Sequence, residues 1–224
     1  MKIALQALAS SVFGVLFFGI ALFLPAGTFA YWQAWVFIAV FSACSTVSGV
    51  YLAVRHPAAL ARRMNAGPTA ETRPVQRIII SAIVLSVVAV LVVSALDWRF
   101  GWSTVPVWVV VVGDALVALG LVGAQIVVMQ NNYAGASITV EADQPLVSTG
   151  LYGIVRHPMY SGTLVMMVGT PLALGSLWGL LAVLVSVPIL VARILDEENA
   201  LTDELAGYRD YQTQVRHRLI PGVW

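Results

Sequence analysis

Residues 105–129 read VPVWVVVVGDALVALGLVGAQIVVM, an apolar run that is interrupted by one charged side chain, Asp114. A helix needs about 20 apolar residues to cross the roughly 30 Å hydrocarbon core of a bilayer, and it satisfies its own backbone polar groups there. The run therefore predicts a transmembrane helix.

Similar runs recur along the chain, and six of them fit membrane helices: 4–24, 31–54, 77–96, 105–129, 159–175 and 177–194. Of the 224 residues, 59% are hydrophobic and only 10% are charged, which is too little polar surface to cover a water-soluble globule. The last two runs are short and predict a helical hairpin, so the number of spans is five or six. The predicted fold class is an all-α integral membrane protein with a cytosolic helical segment after the hairpin.

The arginines predict the orientation of these helices. One group lies between the second and third spans, from Arg55 to Arg77, and another lies in the last third, from Arg156 to Arg218, whereas the loop 25–30 has no charge. The positive-inside rule places both groups in the cytosol, and six spans then put both termini there. Because membrane orientation accounts for the arginines, they do not indicate a nucleic-acid partner.

Several chemistries are excluded by residues that the chain lacks. Lys2 is the only lysine, so there is no phosphate-binding loop of the Walker type and no Schiff-base lysine. Cys44 is the only cysteine and cannot form an intramolecular disulfide. The three histidines lie in separate segments without the spacing of a metal site, so we expect no metal.

The chain divides into two zones. Residues 1–129 are predicted to form a transmembrane scaffold, in which Gly113, Gly120 and Gly123 allow helices to approach closely. Residues 130–224 carry most of the acidic side chains and are predicted to hold the site. Asp114 is interpreted as an interhelical hydrogen-bonding or structural residue, with a proton or ion pathway left open.

The hairpin brings distant polar residues together. At 1.5 Å per residue each leg spans roughly 25 Å, so its two cytosolic ends become neighbours and His157 and Tyr160 face Arg193 and Glu197. Glu197 follows Arg193 by four residues, which places both on one side of a helix. Alternatively, Arg193 and Glu197 form only a surface ion pair, and the tyrosines belong to an interfacial aromatic belt.

The motifs of the last third resemble the isoprenylcysteine carboxyl methyltransferase family, in its bacterial members, and the related phospholipid N-methyltransferases. The resemblance covers about residues 130–224. It rests on the following segments: Leu146 to Tyr152, Val155 to Tyr160 with Gly162, Arg193 with Glu197 and Glu198, Tyr208 with Tyr211, and the closing Arg218 to Trp224.

This resemblance implies a methyltransferase of the bacterial cytoplasmic membrane that binds S-adenosylmethionine at the cytosolic edge of the bilayer. The lipophilic acceptor, a carboxylate, thiol or amine, would enter from the lipid. The family pattern implies Arg193 and Glu197 as catalytic residues, with Arg193 contacting the acceptor. It implies these cofactor-binding residues: Gln144, Pro145, Leu146, Val147, Tyr152, His157, Pro158, Met159, Tyr160 and Glu197.

Two other classes remain as alternatives. Membrane sterol and enone reductases close on a segment similar to Leu219–Trp224 but bind NADPH, which calls for additional basic contacts to a 2′-phosphate. A transporter would place charged residues inside several spans. Within the predicted spans the charges other than Asp114 lie at or near helix ends, which argues against a transporter.

Overall fold

The computed structural model describes the backbone of residues 2–224 and the side chains of residues 10 and 12–224. This described part contains eight α-helices and one short 3-10 helix. The α-helices are, in chain order, α1 Lys2–Ala26, α2 Trp32–Arg55, α3 Pro57–Met64, α4 Pro74–Phe100, α5 Val107–Gln130, α6 Pro158–Ala173, α7 Trp178–Glu204 and α8 Tyr208–Gln214. The 3-10 helix is Gly150–Gly153. No residue within this described part forms a β-strand, and the predicted all-α fold class is confirmed.

The six predicted spans correspond to α1, α2, α4, α5, α6 and α7. Four of these, α2, α4, α5 and α7, are long and apolar enough to cross a membrane, and the Val12–Ala26 part of α1 is a shorter apolar helix. α6 has 16 residues. Side chains that point away from the bundle are apolar, such as Leu85 and Val185 with exposed fractions of 69% and 75%, which suits a lipid environment.

The last predicted span ends at 194, and α7 continues beyond it to Glu204, so Glu197 lies on the same helix as Arg193, as predicted. Asp196, Glu197 and Glu198 have hydrogen-bond partners on other segments. The helix α3 was not predicted. It begins at Pro57, whose fixed φ and missing N–H suit the first turn of a helix.

The helices alternate in direction and define two ends of the bundle. At the end that we call the basic end, α2, α5 and α7 finish, and α4 and α6 begin. α3, α8 and the long segment 131–157 also lie there. The opposite end carries the short turns after α1, α4 and α6.

The contact between α5 and α6 depends on glycines. A Cβ atom on Gly113 would come within 2.1 Å of the backbone nitrogen of Ala173, and one on Gly120 would come within 2.5 Å of the carbonyl oxygen of Gly162. Gly123, for which the sequence predicted the same role, has nothing within 4 Å of the corresponding position. The close packing fixes where α6 begins, and with it the position of His157 and Tyr160.

At the opposite end, Asp97 joins three segments. Its carboxylate accepts hydrogen bonds from the Ser103 backbone N–H at 2.7 Å, from the Ser176 hydroxyl at 2.6 Å and from the Trp178 N–H at 3.3 Å. Asp97 is fully buried. It therefore ties the end of α4 to the turn between α6 and α7, which sets the geometry of the hairpin.

Asp114 lies in α5 and is buried, but it does not form the predicted interhelical hydrogen bond. Its Oδ1 atom has no hydrogen-bond partner among the described residues. Of the two roles predicted for Asp114, the interhelical hydrogen bond is therefore not seen, and a structural role stays a prediction.

Candidate active site

A pocket of about 840 Å³, including its open mouth, lies at the basic end of the bundle. Its walls come from the segment 131–157, the start of α6, the last turns of α7, Leu205, and α8.

Glu198 is the centre of a charged cluster behind the inner wall of the pocket, where Arg156 and His157 line it. Its Oε1 accepts a hydrogen bond from Arg156 Nε at 2.7 Å and lies 3.2 Å from His157 Nε2, while its Oε2 accepts from Arg218 Nε at 2.9 Å. Glu198 and Arg156 are both buried. A buried charge is tolerated when it is paired and hydrogen-bonded, so this cluster is a closed structural unit.

The C-terminal segment is attached to the same cluster. The backbone N–H groups of Arg156 and His157 donate to the carbonyl oxygens of His217 and Arg218, both at 2.9 Å. Arg156 Nη1 also donates to the carbonyl oxygens of Val215 and Arg216. The start of α6 and the end of the chain are therefore held together behind the pocket.

Glu197 faces the pocket from the neighbouring position of α7. Its Oε2 accepts a hydrogen bond from the Tyr160 hydroxyl at 2.5 Å, and Arg193 Nε donates to that hydroxyl oxygen at 3.3 Å. No cationic side chain forms an ion pair with Glu197 in the described part of the chain. The pocket thus contains a carboxylate whose charge is not neutralised by the protein.

Arg193 is held by residues of the N-terminal half. Its Nη1 forms an ion pair with Glu71 Oε1 at 2.7 Å and donates to the Gln76 side-chain oxygen. Its Nη2 donates to the carbonyl oxygen of Ala136 at 3.2 Å. Glu71 also accepts from the Ile138 N–H at 3.3 Å, so it connects Arg193 to the segment that closes the pocket.

The outer wall is formed by the segment 131–147, which packs on α3. Arg62 donates to Glu141 Oε1 at 2.5 Å and to Oε2 at 2.8 Å, and its guanidinium lies 4.4 Å from the centre of the Tyr133 ring. The hydrogen bond and the charge of Arg62 lower the pKa of Glu141. This exposed pair anchors the wall from outside.

Three tyrosines complete the pocket near α8. The Tyr211 hydroxyl donates to the carbonyl oxygen of Tyr152 at 2.7 Å, and burial raises the pKa of Tyr152 to about 12. The Tyr208 hydroxyl is buried and has no partner among the described residues, and burial raises its pKa too. An unpaired buried hydroxyl that lines a pocket is available to a ligand.

An apolar groove lies beside the pocket, between α5, α6 and the closing segment of the chain. Its lining includes Leu119, Gly123, Ile154, Val165 and Leu219. Pro158 lines both the groove and the pocket, so the two cavities meet at the start of α6.

All of the predicted site residues lie at this pocket. The ten predicted cofactor-binding residues and Arg193 line it, and Tyr208 and Tyr211 do so as well. The predicted contacts of Tyr160 with Arg193 and Glu197 are present, whereas His157 lies against Glu198 rather than Glu197.

Three residues that support the predicted site residues were not predicted in that role. Glu71 and Gln76 hold Arg193, and Glu198 was noted in a motif without a structural role. For Glu71, the available signal was that it is the only acidic residue in the arginine-rich loop between the second and third spans.

Two comparisons with known proteins give matches. Residues 108–208 match the model of the phospholipid methyltransferase family. The fold is similar to that of the eukaryotic intramembrane Ras methyltransferase, isoprenylcysteine carboxyl methyltransferase, with a TM-score of 0.53 and 19% sequence identity over 99% of this chain and 97% of the other. At this identity the structural likeness shows a shared fold. Among curated proteins, none matches the chain significantly.

The fold and the family match together define an integral membrane methyltransferase. The chain is similar to the phospholipid methyltransferases over residues 108–208 and shares its fold with isoprenylcysteine carboxyl methyltransferase, the two groups that its motifs resemble. Methyltransferases of this kind use S-adenosylmethionine in general, and neither comparison supports the reductase alternative.

Proposed function

We propose that the pocket binds S-adenosylmethionine and that the methyl group passes to a lipophilic acceptor at the cytosolic edge of the bilayer. The observation that carries this proposal is the meeting of all ten motif-assigned residues, from Gln144 to Glu197, in one pocket at the basic end. The residues come from three separate segments, so their convergence depends on the fold and not on proximity in the sequence.

The polar groups that the protein leaves unpaired in the pocket fit this cofactor. Among the described residues, Glu197 has no cationic partner for its carboxylate, and the buried hydroxyl of Tyr208 has no hydrogen-bond partner. S-adenosylmethionine has an ammonium group and ribose hydroxyls that suit such partners, and it supplies a methyl group already activated on a sulfonium. We assign Glu197 and Tyr208 to hold it.

The protein's part in the reaction is then to position the reactants and to exclude water. Tyr160 donates to Glu197 and thereby fixes the direction of the carboxylate, while Tyr152 and Tyr211 form a hydrogen-bonded wall behind the pocket. Arg193 borders the pocket beside Tyr160, and we assign to it the contact with the acceptor. If the acceptor is an amine, Glu197 is the available carboxylate to take up a proton.

The apolar groove supports the lipophilic nature of the acceptor. It is lined by side chains of α5 and α6 and meets the pocket at Pro158. An aliphatic chain in the groove would bury its apolar surface and leave its head at the polar pocket. We place the basic end and both termini in the cytosol, because the arginines gather at that end. The resemblance to bacterial family members suggests that the membrane is a bacterial cytoplasmic membrane.

The proposal is tested by calorimetry on the protein in an uncharged detergent. We expect S-adenosylhomocysteine to bind and NADPH not to bind. Glu197→Gln should weaken binding of S-adenosylhomocysteine by about tenfold, since a hydrogen bond to a charged group contributes roughly 1.5–3 kcal/mol. Glu204→Gln is the matched control, because Glu204 is an exposed glutamate on the same helix.

Absence of S-adenosylhomocysteine binding to the unmodified protein would refute the proposal. Binding of NADPH instead would revive the reductase alternative. Equal affinity in the Glu197 and Glu204 variants would remove Glu197 from the cofactor site.

The role of Arg193 is tested by transfer of radiolabelled methyl groups into lipids of the host membrane. Arg193→Lys keeps the charge but loses the fixed geometry that directs the one remaining N–H toward the acceptor, and we expect transfer to fall at least tenfold while the affinity for S-adenosylhomocysteine changes less than about threefold. Arg209→Lys, at an exposed position, is the control. A parallel loss of cofactor affinity would assign Arg193 to the cofactor.

A further inference from the structure

The arginines around the pocket differ in one respect, the presence of a carboxylate partner. Arg62 pairs with Glu141, and Arg193 pairs with Glu71. Arg156 pairs with Glu198 in the same way. Arg63, in the last turn of α3, forms no ion pair with any residue that the structure describes.

The surroundings of Arg63 make this lack of a partner costly. Its Nη1 donates to the sulfur atom of Met159 at 3.0 Å, and a thioether is a weak acceptor. Leu60 and Met64 belong to the same apolar cluster as Met159. Burial lowers the pKa of Arg63 in spite of the opposing influence of Tyr160. A partly desolvated cation gains most when an anion binds beside it.

Arg63 itself lines neither the pocket nor the groove and is connected to the pocket through Met159. Met159, which receives its hydrogen bond, lines the pocket, and the adjacent Pro158 lines both the pocket and the apolar groove. An anion on the pocket side of Met159 therefore lies one side chain away from Arg63.

Arg193 is poorly available for the same task. A guanidinium has five N–H groups, and those of Arg193 already donate to Glu71, Gln76, Ala136 and Tyr160. The one N–H that remains cannot form the two parallel bonds with which arginine recognises a phosphate or carboxylate. A strongly anionic group thus needs another cation.

We propose that Arg63 binds the anionic group, a phosphate or a carboxylate, of the molecule that is methylated. The binding site for an anion follows from the contacts of Arg63 alone, whereas its assignment to the acceptor rests on the proposed function. The cofactor's own carboxylate is the other possible source of the same chemistry, and the experiment separates the two.

The test uses the contact between Arg63 and Met159 as a reporter. The protein is labelled with [methyl-¹³C]methionine, and the Met159 resonance, among the six methionines, is assigned with Met159→Leu. Dihexanoyl phosphatidate is titrated in an uncharged detergent, with dihexanoylglycerol as the uncharged probe. We expect a saturable shift of the Met159 resonance with phosphatidate and no saturable shift with the glycerol lipid.

Arg63→Gln should lower the affinity for phosphatidate at least tenfold, whereas Arg55→Gln, at an exposed position at the end of α2, should leave it unchanged. If Arg63→Gln does not fold, Arg63→Met gives the same comparison, because its apolar side chain suits the contacts with Leu60 and Met64. No saturable shift, an equal response to both probes, or full affinity in the Arg63 variant would overturn the anion site.

S-adenosylhomocysteine provides the second arm. If its affinity falls tenfold in the Arg63 variant, Arg63 serves the cofactor's carboxylate, and the assignment to the acceptor is overturned. If the unmodified protein does not bind S-adenosylhomocysteine but still binds phosphatidate through Arg63, the proposed function fails and the anion site stands.

Discussion

The two ends of the helix bundle each contain a buried carboxylate, and they use it differently. At the opposite end, Asp97 accepts hydrogen bonds from backbone and hydroxyl groups of three segments. At the basic end, Glu198 is equally well satisfied by Arg156, His157 and Arg218, but the adjacent Glu197 has only the hydroxyl of Tyr160.

The difference separates a structural carboxylate from a functional one. A closed network such as that of Asp97 has no capacity left for a ligand, and its value is in fixing the turn between α6 and α7. The basic end contains a closed network as a frame and, beside it, groups that the protein leaves unsatisfied. Such groups cost stability, and a fold retains them where a ligand completes them.

The largest expected effect comes from breaking the closed network at the opposite end. Asp97→Ala leaves the buried hydroxyl of Ser176 and the partly buried N–H groups of Ser103 and Trp178 without their acceptor, and we expect the free energy of unfolding to fall by about 3–5 kcal/mol. The measurement is thermal unfolding in detergent.

The control for this prediction is Asp143→Asn, an exposed aspartate, which should change the unfolding temperature little. Protein with Asp97→Ala that remains folded should bind S-adenosylhomocysteine normally, since Asp97 lies at the far end of the bundle. A loss of affinity without a loss of stability would contradict the separation of the two ends.

An intermediate effect is expected where the N-terminal half supports the site. Glu71→Gln removes the charge that pairs with Arg193, which is itself only 3% exposed, and we expect a loss of about 2–3 kcal/mol in unfolding free energy. Because Glu71 does not line the pocket, the affinity for S-adenosylhomocysteine should change less than about threefold.

Unfolding and calorimetry on the same preparations check this prediction, with Glu204→Gln as the control. If the free energy of unfolding stays unchanged and the affinity for S-adenosylhomocysteine is lost, Glu71 belongs with the groups at the basic end that bind the ligand.

The smallest effects on stability and affinity are expected from changes at two tyrosines that line the same pocket. Tyr208→Phe removes a buried hydroxyl without a partner, so stability should not fall, whereas the affinity for S-adenosylhomocysteine should drop about fivefold. Tyr211→Phe removes the hydrogen bond to the Tyr152 carbonyl oxygen and should cost about 1 kcal/mol of stability. Equal destabilisation by the two changes would show that the Tyr208 hydroxyl is satisfied within the protein.

The fold was predictable where it depends on helix length and composition. Runs such as 105–129 identify membrane helices because the bilayer admits few other structures, and α5 begins and ends within two residues of the predicted bounds. The partners of the acidic residues near the end of α7 were not predictable in this way, because they lie on other segments of the chain.

The candidate site was predictable where its residues belong to motifs. His157, Tyr160, Arg193 and Glu197 were placed together by the length of the hairpin and by the family pattern, and they do line one pocket. The partners of these residues were hidden, because Glu71 lies more than a hundred positions from Arg193 and no local pattern relates them.

The sequence by itself determined that the chain is a helical membrane protein and which motif carries its chemistry, because apolar length and motif spacing are local properties. Only the tertiary structure decided which charges are neutralised and which are left for a ligand. Arg193 and Arg63 look alike in the sequence, yet one is held by Glu71 and the other contacts a methionine sulfur. The physical reason is that the free energy of a buried charge depends on its neighbours in space, and in this fold those neighbours come from distant parts of the chain.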